Sequence, residues 1–553
     1  MAKQALRVIP LGGVGEVGKN STLVQYGKDM VLIDVGVMFP EEQMHGVDLV
    51  IPDFTYVRQN VDKLRAVLLT HGHEDHIGAV PYLLQILGRK VPIYGSPLTL
   101  GLVKAKLKEF RVTKLADLRL LEPGQVLRLG ELEVDFVRVS HSVPDARAIV
   151  IGSPVGRIVV TGDFKFDETP AAGAQTEIQR LREIGDRGVL ALLSDCVRVE
   201  RRGRTPSERV VGETLERIIR EAPGRVILTT FASNLTRLEQ VVRIASTLRR
   251  KVAVVGRSME NTVEVGRELD YLHPPVGTIV NLRETRGLPR NRVLLLVAGS
   301  QGEPTSALAR IAVGDHPQIK IEAGDTVILS ATPVPGNEET VAKTIDNLFR
   351  RGAVVLYQDV VPNIHVSGHA SRDELREMIL LTRPKFCIPL HGEYRHMVSY
   401  RVLASETGIA PERVVLSEIG DVIELTAESV RKKGHVTSGS VLVDGLTIGV
   451  TQAVLRERGK LAEDGILIAA VTVDRDTGRV LGGPDLLSRG FVHPDEADLL
   501  KRGRAQVTRV LKRQKRGQAE YGFIVSKIKE VLGKFIYDQT RLQPLILPVV
   551  TEI

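Results

Sequence analysis

The sequence predicts an α/β protein that is divided into several domains. Short runs of β-branched and aliphatic residues alternate with helical patterns over most of the chain. Between residues 209 and 300 this alternation becomes regular, which is typical of a parallel sheet with helices on its faces. A chain of 553 residues is also too long for one compact core, so we expect two to four domains.

The composition is that of a folded protein without a membrane span. Hydrophobic residues make up 43% of the chain, and no stretch approaches the roughly 20 apolar residues of a transmembrane helix. The N-terminus lacks a signal-peptide pattern, so we expect a cytoplasmic protein. Cys196 and Cys387 lie in or beside apolar runs, which favours buried thiols over a disulfide or a reactive site. The net charge of +8 favours a polyanionic partner but would also suit a basic housekeeping protein.

The first half of the chain contains strand patterns that end in polar residues. We predict strands at 30–36, 66–70, 131–139, 157–163 and 189–195. Catalytic and binding groups commonly lie where strands stop and loops begin, so these endings are candidate sites.

The rest of the chain predicts further α/β structure. Helical patterns at 209–221, 235–248 and 261–269 alternate with strand patterns at 225–232, 251–256 and 292–300. Short strands follow at 363–371 and 385–396, and a charged segment at 451–465 predicts a linker. The tail predicts a strand at 466–473, helices at 495–515 and 521–535, and a last strand at 545–550.

Residues 13-GVGEVG-18 match the glycine pattern of dinucleotide-binding folds and, with Lys19 and Asn20, nearly match a phosphate-binding P-loop. Both sites require a helix directly after the glycines, whose N-terminal amides hold phosphate. Residues 21–36 instead predict two strands joined by a turn at 27–29. We therefore interpret the glycines as a tight turn that lines a cleft, and we reject a nucleotide site.

The segment 71-HGHEDH-76 places three histidines and two acids directly after an apolar strand. On an extended or loop backbone His71 and His73 point to one side, while Asp75 and His76 can face a second point. Imidazoles and carboxylates suit Zn²⁺ or Mn²⁺, and one short loop can present four ligands only if it serves two adjacent ions. A solvated polar turn is the alternative, but apolar sequence on both sides favours a position at the boundary of a core.

Three further candidate ligands lie where apolar strand runs end, namely His141, Asp163 and His391. Any one of them alone would be more typical of a surface group or a hydrogen-bonded core group. Together with 71-HGHEDH-76 they predict one dinuclear metal site.

This ligand set resembles that of the metallo-β-lactamase superfamily. The resemblance implies a four-layer αββα sandwich with two metal ions in the cleft between its sheets. It assigns His71, His73 and His141 to one ion, Asp75, His76 and His391 to the other, and Asp163 to both. It also implies hydrolysis by a hydroxide that bridges the two ions.

The long segment between Asp163 and His391 resembles the β-CASP insertion of nucleic-acid-processing members of that superfamily. Asp195 and His369 match hallmark residues of this group. By resemblance, Asp195 is a catalytic carboxylate that orients a metal-bound histidine. His369 would stabilise the scissile phosphate or protonate the leaving oxygen.

The whole chain resembles the bacterial ribonuclease J family. Matching segments include 12-GGVGEVGKN-20, 46-GVDLVIPDFTYV-57, 229-TTFASNLTRL-238 and 483-GPDLLSRGFV-492, in the family's order. The resemblance implies a 5′-to-3′ exonuclease that prefers a 5′-monophosphate and also acts as an endonuclease in mRNA turnover and rRNA processing. It implies single-stranded RNA as substrate, two Zn²⁺, Mn²⁺ or Mg²⁺ ions per subunit, and a homodimer or tetramer with partners in an RNA-degradation complex.

The resemblance and the element pattern together predict the domain boundaries. A metallo-β-lactamase domain covers 1–209 and returns at 361–450, with the parallel-sheet β-CASP domain at 210–360. The linker at 451–465 then leads to a small α/β C-terminal domain at 466–553.

Two loops offer donors for a 5′-phosphate. The first, 231-FASN-234, supplies Ser233 and Asn234, and the second, 365-HVSGH-369, supplies His365, Val366, Ser367, Gly368 and His369. Hydroxyl, amide, imidazole and backbone donors would hold one phosphate, one nucleotide from the metal ions, and would reject a triphosphate by bulk and charge. Loop residues that satisfy their own turns are the alternative for any single member.

The resemblance extends to a structural cation site away from the catalytic pair. Asp48 and Asp444 match its carboxylates, and a buried hydrogen-bonding role is the alternative. After Asp195, however, the chain reads CVRVERRGRT, where the resemblance leads us to expect a stretch with Ser, Thr and Asn. We therefore assign no substrate contact to that loop.

The pattern at 501–516 interleaves eight Lys and Arg residues with apolar ones. A solvated amphipathic helix is the simplest interpretation, and a surface that follows RNA or supports a dimer is the alternative.

Two other functions remain as alternatives. A non-catalytic RNA-binding subunit of a degradation complex is disfavoured because all seven ligand positions are filled. Another hydrolase of the superfamily, such as a thioesterase or lactonase, is disfavoured by the long insertion and the 365–369 loop.

Overall fold

Strands and helices alternate along the chain, which confirms the predicted α/β class. The structure, a computed structural model, describes residues 4–41, 43–445, 447–474, 480–491, 493–512 and 521–553. It divides into two units, of which the first comprises Met1–Phe39 and Val50–Val441 and the second comprises Pro40–Leu49 and Leu442–Ile553.

The strands are numbered along the chain. They are β1 (Leu6–Gly12), β2 (Val14–Gly15), β3 (Ser21–Tyr26), β4 (Asp29–Ile33), β5 (Leu49–Pro52), β6 (Leu64–Leu68), β7 (Val91–Gly95), β8 (Ala116–Leu120), β9 (Leu127–Leu129), β10 (Leu132–Arg138), β11 (Arg147–Ser153), β12 (Gly156–Val160), β13 (Val189–Asp195), β14 (Val226–Thr229), β15 (Lys251–Val255), β16 (Val293–Val297), β17 (Thr326–Leu329), β18 (Val354–Leu356), β19 (Pro384–Leu390), β20 (Gly392–Glu393), β21 (Asp421–Leu425), β22 (Val430–His435), β23 (Ser440–Asp444), β24 (Thr447–Ile448), β25 (Ile466–Val473), β26 (Val480–Arg489) and β27 (Leu545–Glu552).

The α-helices are numbered in the same way. They are α1 (Thr55–Gln59), α2 (Glu74–Ile77), α3 (Val80–Leu87), α4 (Pro97–Glu109), α5 (Ile178–Asp186), α6 (Glu208–Glu221), α7 (Leu235–Thr247), α8 (Arg257–Glu268), α9 (Ala307–Val313), α10 (Glu338–Arg350), α11 (Arg372–Thr382), α12 (Tyr394–Glu406), α13 (Gln452–Glu463), α14 (Glu496–Lys512) and α15 (Tyr521–Thr540).

Two mixed sheets of the first unit form the αββα sandwich that the resemblance implied. One has the order β22-β21-β1-β3-β4-β6-β7-β8 and the other β19-β13-β12-β11-β10-β9. Side chains of a strand alternate between its two faces. In β11, Ile149 and Ile151 therefore join the core shared by the two sheets, while Ala148 and Val150 join the core beneath α5, α11 and α12. On the other side, α4 packs against β7 and β8.

The parallel arrangement of β12, β13 and β19 brings three polar strand ends together. β13 pairs in parallel with both neighbours, and Asp195 at its end stands opposite Leu390. Because the carboxyl ends of parallel strands meet at one edge of a sheet, Asp163 after β12, Asp195 and His391 after β19 share this edge.

A further sheet, in which all strands are parallel, is inserted between β13 and β19. Its order is β15-β16-β14-β17-β18, and both of its faces are covered by helices, which explains its continuous apolar strands. The loops after β14 and β17 lie at the carboxyl ends of its strands, where ligands bind in open α/β sheets. Ser233 and Asn234 lie in the first of these loops.

In the second unit, β25 pairs in antiparallel with β26 and in parallel with β27, and α14 and α15 pack onto this sheet. Buried Val507 and Leu511 of α14 confirm an amphipathic helix, while residues 513–516 of the basic pattern lie outside the described residues. Most of the predicted linker at 451–465 is helical, because Thr451 caps the N-terminus of α13, and its role as a linker stays a prediction.

Two strand predictions were wrong in part. Residues 363–371 form an irregular loop, because their polar groups bond to neighbouring loops instead of to a strand. Residues 385–396 contain the end of β19, the short β20 and the start of α12, where Glu393 forms a capping box with His396. Every helix in the described part of the chain is too short or too polar to span a lipid bilayer.

Candidate metal centre

The first four candidate ligands come from one short segment after β6. His71 lies in the loop, His73 precedes the first residue of α2, and Asp75 and His76 lie in the first turn of that helix. The change from loop to helix turns the second pair away from the first. The structure accordingly places His71 and His73 in one group of potential ligands and Asp75 and His76 in another, as predicted.

In the first group, three imidazoles converge on one point. Nε2 of His71 lies 3.0 Å from Nδ1 of His73, and Nε2 of His141 lies 3.1 Å from the same atom. Oδ2 of Asp163 completes the group at 3.5 Å from His71 and 3.8 Å from His141.

The second group shares the same aspartate. Oδ2 of Asp163 lies 3.2 Å from Nε2 of His76, and its Oδ1 lies 2.6 Å from Nδ1 of His391. Oδ2 of Asp75 is 3.4 Å from Nε2 of His76 and 3.6 Å from Nε2 of His391. All seven residues predicted as ligands therefore lie together, with Asp163 between the two groups.

Burial keeps the first group neutral. It lowers the pKa of His73 to about 4 and holds the pKa values of His71 and His141 well below their ordinary value. Neutral imidazole is the form that binds a metal ion.

The second group combines opposite charges. Burial opposes charge on His391, but Asp163 outweighs it and raises the pKa of His391 to about 9. Burial would likewise raise the pKa of Asp163, yet His391 and His76 hold it well below its usual range. The carboxylates of this group are therefore ionised, as metal ligands must be.

The donor set fits divalent cations. Among the described residues, Oδ2 of Asp163 is buried without a hydrogen-bond partner, although three imidazole nitrogens surround it at 3.2 to 3.8 Å. Imidazole nitrogens that converge beside carboxylate oxygens are ligands that Zn²⁺ and Mn²⁺ accept. Bound cations explain this cluster better than hydrogen bonding within the protein does.

Asp195 and His369 form a pair beside these ligands. Nδ1 of His369 donates to Oδ2 of Asp195 at 2.8 Å, and the backbone N–H of Val197 donates to the other carboxylate oxygen at 3.0 Å. The resemblance assigned Asp195 to orient a metal-bound histidine, whereas its hydrogen bond here orients His369.

Sequence reasoning missed Asp34 and Asn20. Asp34 follows β4 and is buried, and its Oδ2 accepts hydrogen bonds from Nδ1 of His76 and Oγ1 of Thr70, both at 2.8 Å. Nδ2 of Asn20 donates to the backbone oxygen of Asp75 at 3.1 Å. The only sequence signal was that Asp34 follows an apolar strand, in the same way as Asp163 and Asp195 do.

The glycine turn at 13–18 borders this centre, as predicted. β3 follows it instead of a helix, as the sequence predicted. The carbonyl of Gly13 accepts a hydrogen bond from the backbone N–H of His391 at 2.6 Å. Gly13 has a φ of +75°, and a Cβ there would lie 2.2 Å from Oδ1 of Asn20, so only glycine fits.

The loop at 365–369 reaches from the metal centre to the inserted sheet. At one end, Nδ1 of His141 donates to the carbonyl of Gly368 at 2.8 Å, and a Cβ at Gly368 would lie 2.4 Å from that imidazole ring. At the other end, Nη1 of Arg237 donates to Nδ1 of His365 at 2.7 Å. The loop therefore connects the candidate ligands to the candidate phosphate pocket.

The predicted phosphate donors lie near one another, and some of them already form hydrogen bonds within the protein. Oδ1 of Asn234 caps α7 by accepting from the N–H of Arg237, and Oγ of Ser367 accepts from the N–H of His369. The Phe231 ring lies 6.3 Å from the His365 ring, which brings the Ser233 loop next to the 365–369 loop.

The predicted structural cation residues both have protein partners. Oδ2 of Asp444 contacts Nη2 of Arg458 at 2.5 Å, and Oδ2 of Asp48 accepts from the N–H of Gly445 at 2.6 Å. Neither belongs to a group of three or more potential metal ligands in the described part of the chain. Their role in binding a cation stays a prediction.

Four family models match the chain. They are the metallo-beta-lactamase superfamily at residues 14–257, the ribonuclease J beta-CASP domain at 223–348, the Zn-dependent metallo-hydrolase RNA specificity domain at 355–416 and the ribonuclease J C-terminal domain at 453–553. A crystal structure of a protein of unknown function from Enterococcus faecalis V583 shares the fold, with a TM-score of 0.52 and 16% identity over 76% of this chain and 100% of that one.

Curated relatives match over nearly the full length. Ribonuclease J2 of Bacillus subtilis is 39% identical over 99% of both chains, and ribonuclease J 1 of Streptococcus pyogenes is 41% identical over 98% of this chain and 97% of its own. Ribonuclease J of Synechocystis is 43% identical over 90% of this chain and 77% of its own. With these relatives, and with clusters of His and Asp that could hold metal ions, the chain belongs to the ribonuclease J family and is a metal-dependent ribonuclease.

Proposed function

We propose that this ribonuclease degrades single-stranded RNA from the 5′ end, with a preference for a 5′-monophosphate, and also cleaves internally. Its tasks are RNA decay and maturation, including mRNA turnover and rRNA processing. The observation that carries the proposal is the loop at 365–369, which contacts the metal centre through Gly368 and the inserted sheet through His365.

The seven clustered residues would hold two divalent ions. His71, His73 and His141 would bind one, Asp75, His76 and His391 the other, and Asp163 both. Bound Zn²⁺ or Mn²⁺ supplies positive charge at the scissile phosphate and Lewis acidity. Because the same nitrogen and oxygen ligands accept either metal, availability decides which one is bound.

Asp195 and His369 are suited to move a proton. The Asp195 carboxylate accepts from Nδ1 of His369, which fixes the orientation of the ring. Nε2 of His369 is then the atom that stabilises the scissile phosphate or gives a proton to the leaving oxygen.

The cleft beside His365 is suited to a terminal phosphate. Nδ1 of His365 accepts from the guanidinium of Arg237, so the proton of the neutral ring lies on Nε2, which can donate. The neighbouring α7 begins at Asn234, and the amino end of a helix favours anions. A single phosphate would be held here, while a triphosphate would be too large and too highly charged.

The test compares 5′-monophosphate, 5′-triphosphate and 5′-hydroxyl versions of one 3′-labelled RNA, with metal added back after chelation. We expect the monophosphorylated RNA to be degraded fastest, with mononucleotide products. If all three RNAs are cleaved at equal rates to mixed internal products, the exonuclease assignment is wrong. The enzyme would then be an endonuclease. No cleavage of any RNA would favour the non-catalytic alternative. The dimeric state implied by the resemblance stays a prediction that light scattering would check.

A further inference from the structure

The loop after Asp195 contains an arginine that the protein leaves without a partner. Within the described part of the chain, Nε of Arg198 is buried without a hydrogen-bond acceptor, and no ion pair or side-chain hydrogen bond involves its guanidinium. Nearby charged residues of the same loop are paired, because Glu200 binds Arg395 and Arg204 binds Glu377, each through a salt bridge. Arg201 and Arg202 also have no side-chain partner among the described residues, but both are exposed, whereas Arg198 is half-buried.

The loop lies beside the reacting groups at both of its ends. The N–H of Val197 donates to Oδ1 of Asp195 at 3.0 Å, and Oγ1 of Thr205 donates to the carbonyl of His369 at 2.7 Å. Arg198 is the residue after Val197. Its side chain is only partly exposed, so it lies against this part of the first unit and does not extend into solvent.

The electrostatics agree with this position. Burial and the positive charge of Arg201 lower the pKa of Arg198, while Asp195 and Glu374 raise it by attraction. Burial also lowers the pKa of His365, and the positive charges of Arg237 and Arg198 lower it further. The charge of Arg198 thus acts both on the carboxylate next to the metal ligands and on the histidine of the phosphate pocket.

The two acids that attract Arg198 have their oxygens occupied. The Glu374 carboxylate accepts backbone N–H groups of Phe166, Thr205 and Ser371 at 2.7 to 2.9 Å. Asp195 accepts from Val197 and His369. A buried guanidinium N–H without an acceptor, such as Nε of Arg198, costs free energy, which an anionic ligand would offset.

We propose that Arg198 binds a phosphate of the RNA substrate beside His365. The inference rests on the proposed function, because it extends the phosphate pocket to a loop to which the resemblance assigned no substrate contact. Arginine suits the role, since its planar guanidinium holds two phosphate oxygens through parallel hydrogen bonds and stays charged at every working pH. The phosphate is either the 5′-terminal one or an internal phosphodiester.

The test measures the affinity of the metal-loaded enzyme for a short labelled RNA with phosphorothioate linkages that slow hydrolysis, made with a 5′-monophosphate or a 5′-hydroxyl. Arg198→Ala should bind about tenfold more weakly than the wild type, the loss expected for a hydrogen bond to a charged group. The slope of log affinity against log salt concentration should also decrease by about one, which corresponds to the loss of one phosphate contact. Arg202→Ala, which removes an exposed charge from the same loop, is the matched control and should bind like the wild type.

Loss confined to the 5′-monophosphorylated RNA would assign the terminal phosphate, and equal loss with both RNAs would assign an internal one. Arg198→Ala that binds both RNAs as tightly as Arg202→Ala would overturn the proposal. If Arg198→Ala does not fold, Arg198→Gln keeps the side-chain stem and should show the same loss, while Arg198→Lys should lie between Gln and wild type. If the wild-type enzyme cleaves RNAs with different 5′ ends at equal rates, the exonuclease assignment is wrong. The comparison of RNA affinities between Arg198→Ala and Arg202→Ala would still be valid.

Discussion

At the scale of single residues, the centre depends on groups that hold the candidate ligands in place. Asp34 accepts from Nδ1 of His76 and from both the N–H and Oγ1 of Thr70, so both of its oxygens accept hydrogen bonds. A carboxylate behind a metal-bound histidine fixes the orientation of the ring and raises its basicity. Asp34 is thus a positioning residue for His76.

We predict that Asp34→Asn lowers metal affinity about 10- to 100-fold. The amide has only one acceptor oxygen and no negative charge, so it cannot replace the carboxylate that accepts from both His76 and Thr70. Competition with a chromogenic chelator measures that affinity directly. Asp62→Asn, which changes an exposed acid paired with Arg89, is the control and should bind metal like the wild type. Unchanged metal affinity in Asp34→Asn would show that His76 needs no such support.

The difference between predicted and missed residues has a physical basis. The segment 71-HGHEDH-76 was predictable because several potential ligands in succession are costly to bury without cations. Asp34 is a single polar residue within an apolar run, and Asn20 follows the glycine turn, so sequence alone does not tell a positioning role from a turn. Only the fold, which brings residues 20, 34 and 76 together, distinguishes them.

At the scale of elements, the 365–369 loop shows where pattern reasoning fails. Its alternation of apolar and polar residues resembles a strand, but its polar groups are used by His141, Arg237 and its own backbone. Tertiary contacts thus outweigh the local pattern. The helices and strands of the inserted sheet were predictable because their burial is regular and repeats along each element.

We predict that Gly368→Ala disrupts both ends of this loop. The new Cβ would lie 2.4 Å from Cε1 of His141, and neither the backbone nor the ring can give way without moving a candidate ligand. Single-turnover cleavage should fall at least 100-fold, and the preference for a 5′-monophosphate should weaken. Gly522→Ala, where a Cβ meets nothing within 4 Å, is the control and should keep wild-type activity. Wild-type cleavage by Gly368→Ala would mean that the loop is not held against His141.

A buried ion pair joins three elements at the same pocket. Nη2 of Arg237 in α7 contacts both oxygens of Glu208 at the start of α6, at 2.9 and 2.8 Å, and its Nη1 contacts the carbonyl of Ser330 after β17. Arg237 is fully buried and Glu208 is 2% exposed, so removal of one partner leaves a buried charge. That change costs about 3–5 kcal/mol.

We therefore predict that Arg237→Met lowers the free energy of unfolding of the first unit by that amount, measured by urea denaturation. Arg237→Met combined with Glu208→Leu should recover part of the loss, because no unpaired charge remains. The exposed pair Arg209–Glu213 is the control, and its loss should cost less than about 1 kcal/mol. Equal effects at both pairs would contradict the role assigned to burial.

At the scale of the whole molecule, the two large sheets and the inserted sheet all direct strand ends or loops toward the metal centre. Asp163, Asp195 and His391 come from adjacent parallel strands, and the 71–76 segment comes from the opposite sheet. Such a site buries several ionisable groups close together, which costs free energy unless bound cations compensate their charges. The fold of the first unit and its metal ions should therefore be energetically linked.

We predict that chelation lowers the melting temperature of the first unit and that Zn²⁺ or Mn²⁺ restores it. A ligand that binds only the folded state stabilises it by about 2.7 kcal/mol at one hundred times its dissociation constant. Differential scanning calorimetry with and without chelator measures this shift. In the double variant His71→Ala/His141→Ala the metal-dependent shift should shrink, because the first group loses two of its three imidazoles, while Asp62→Asn should keep the full shift. A melting temperature that does not respond to chelator in the wild type would mean that the seven clustered residues are stable without cations, and the dinuclear assignment would fail with it.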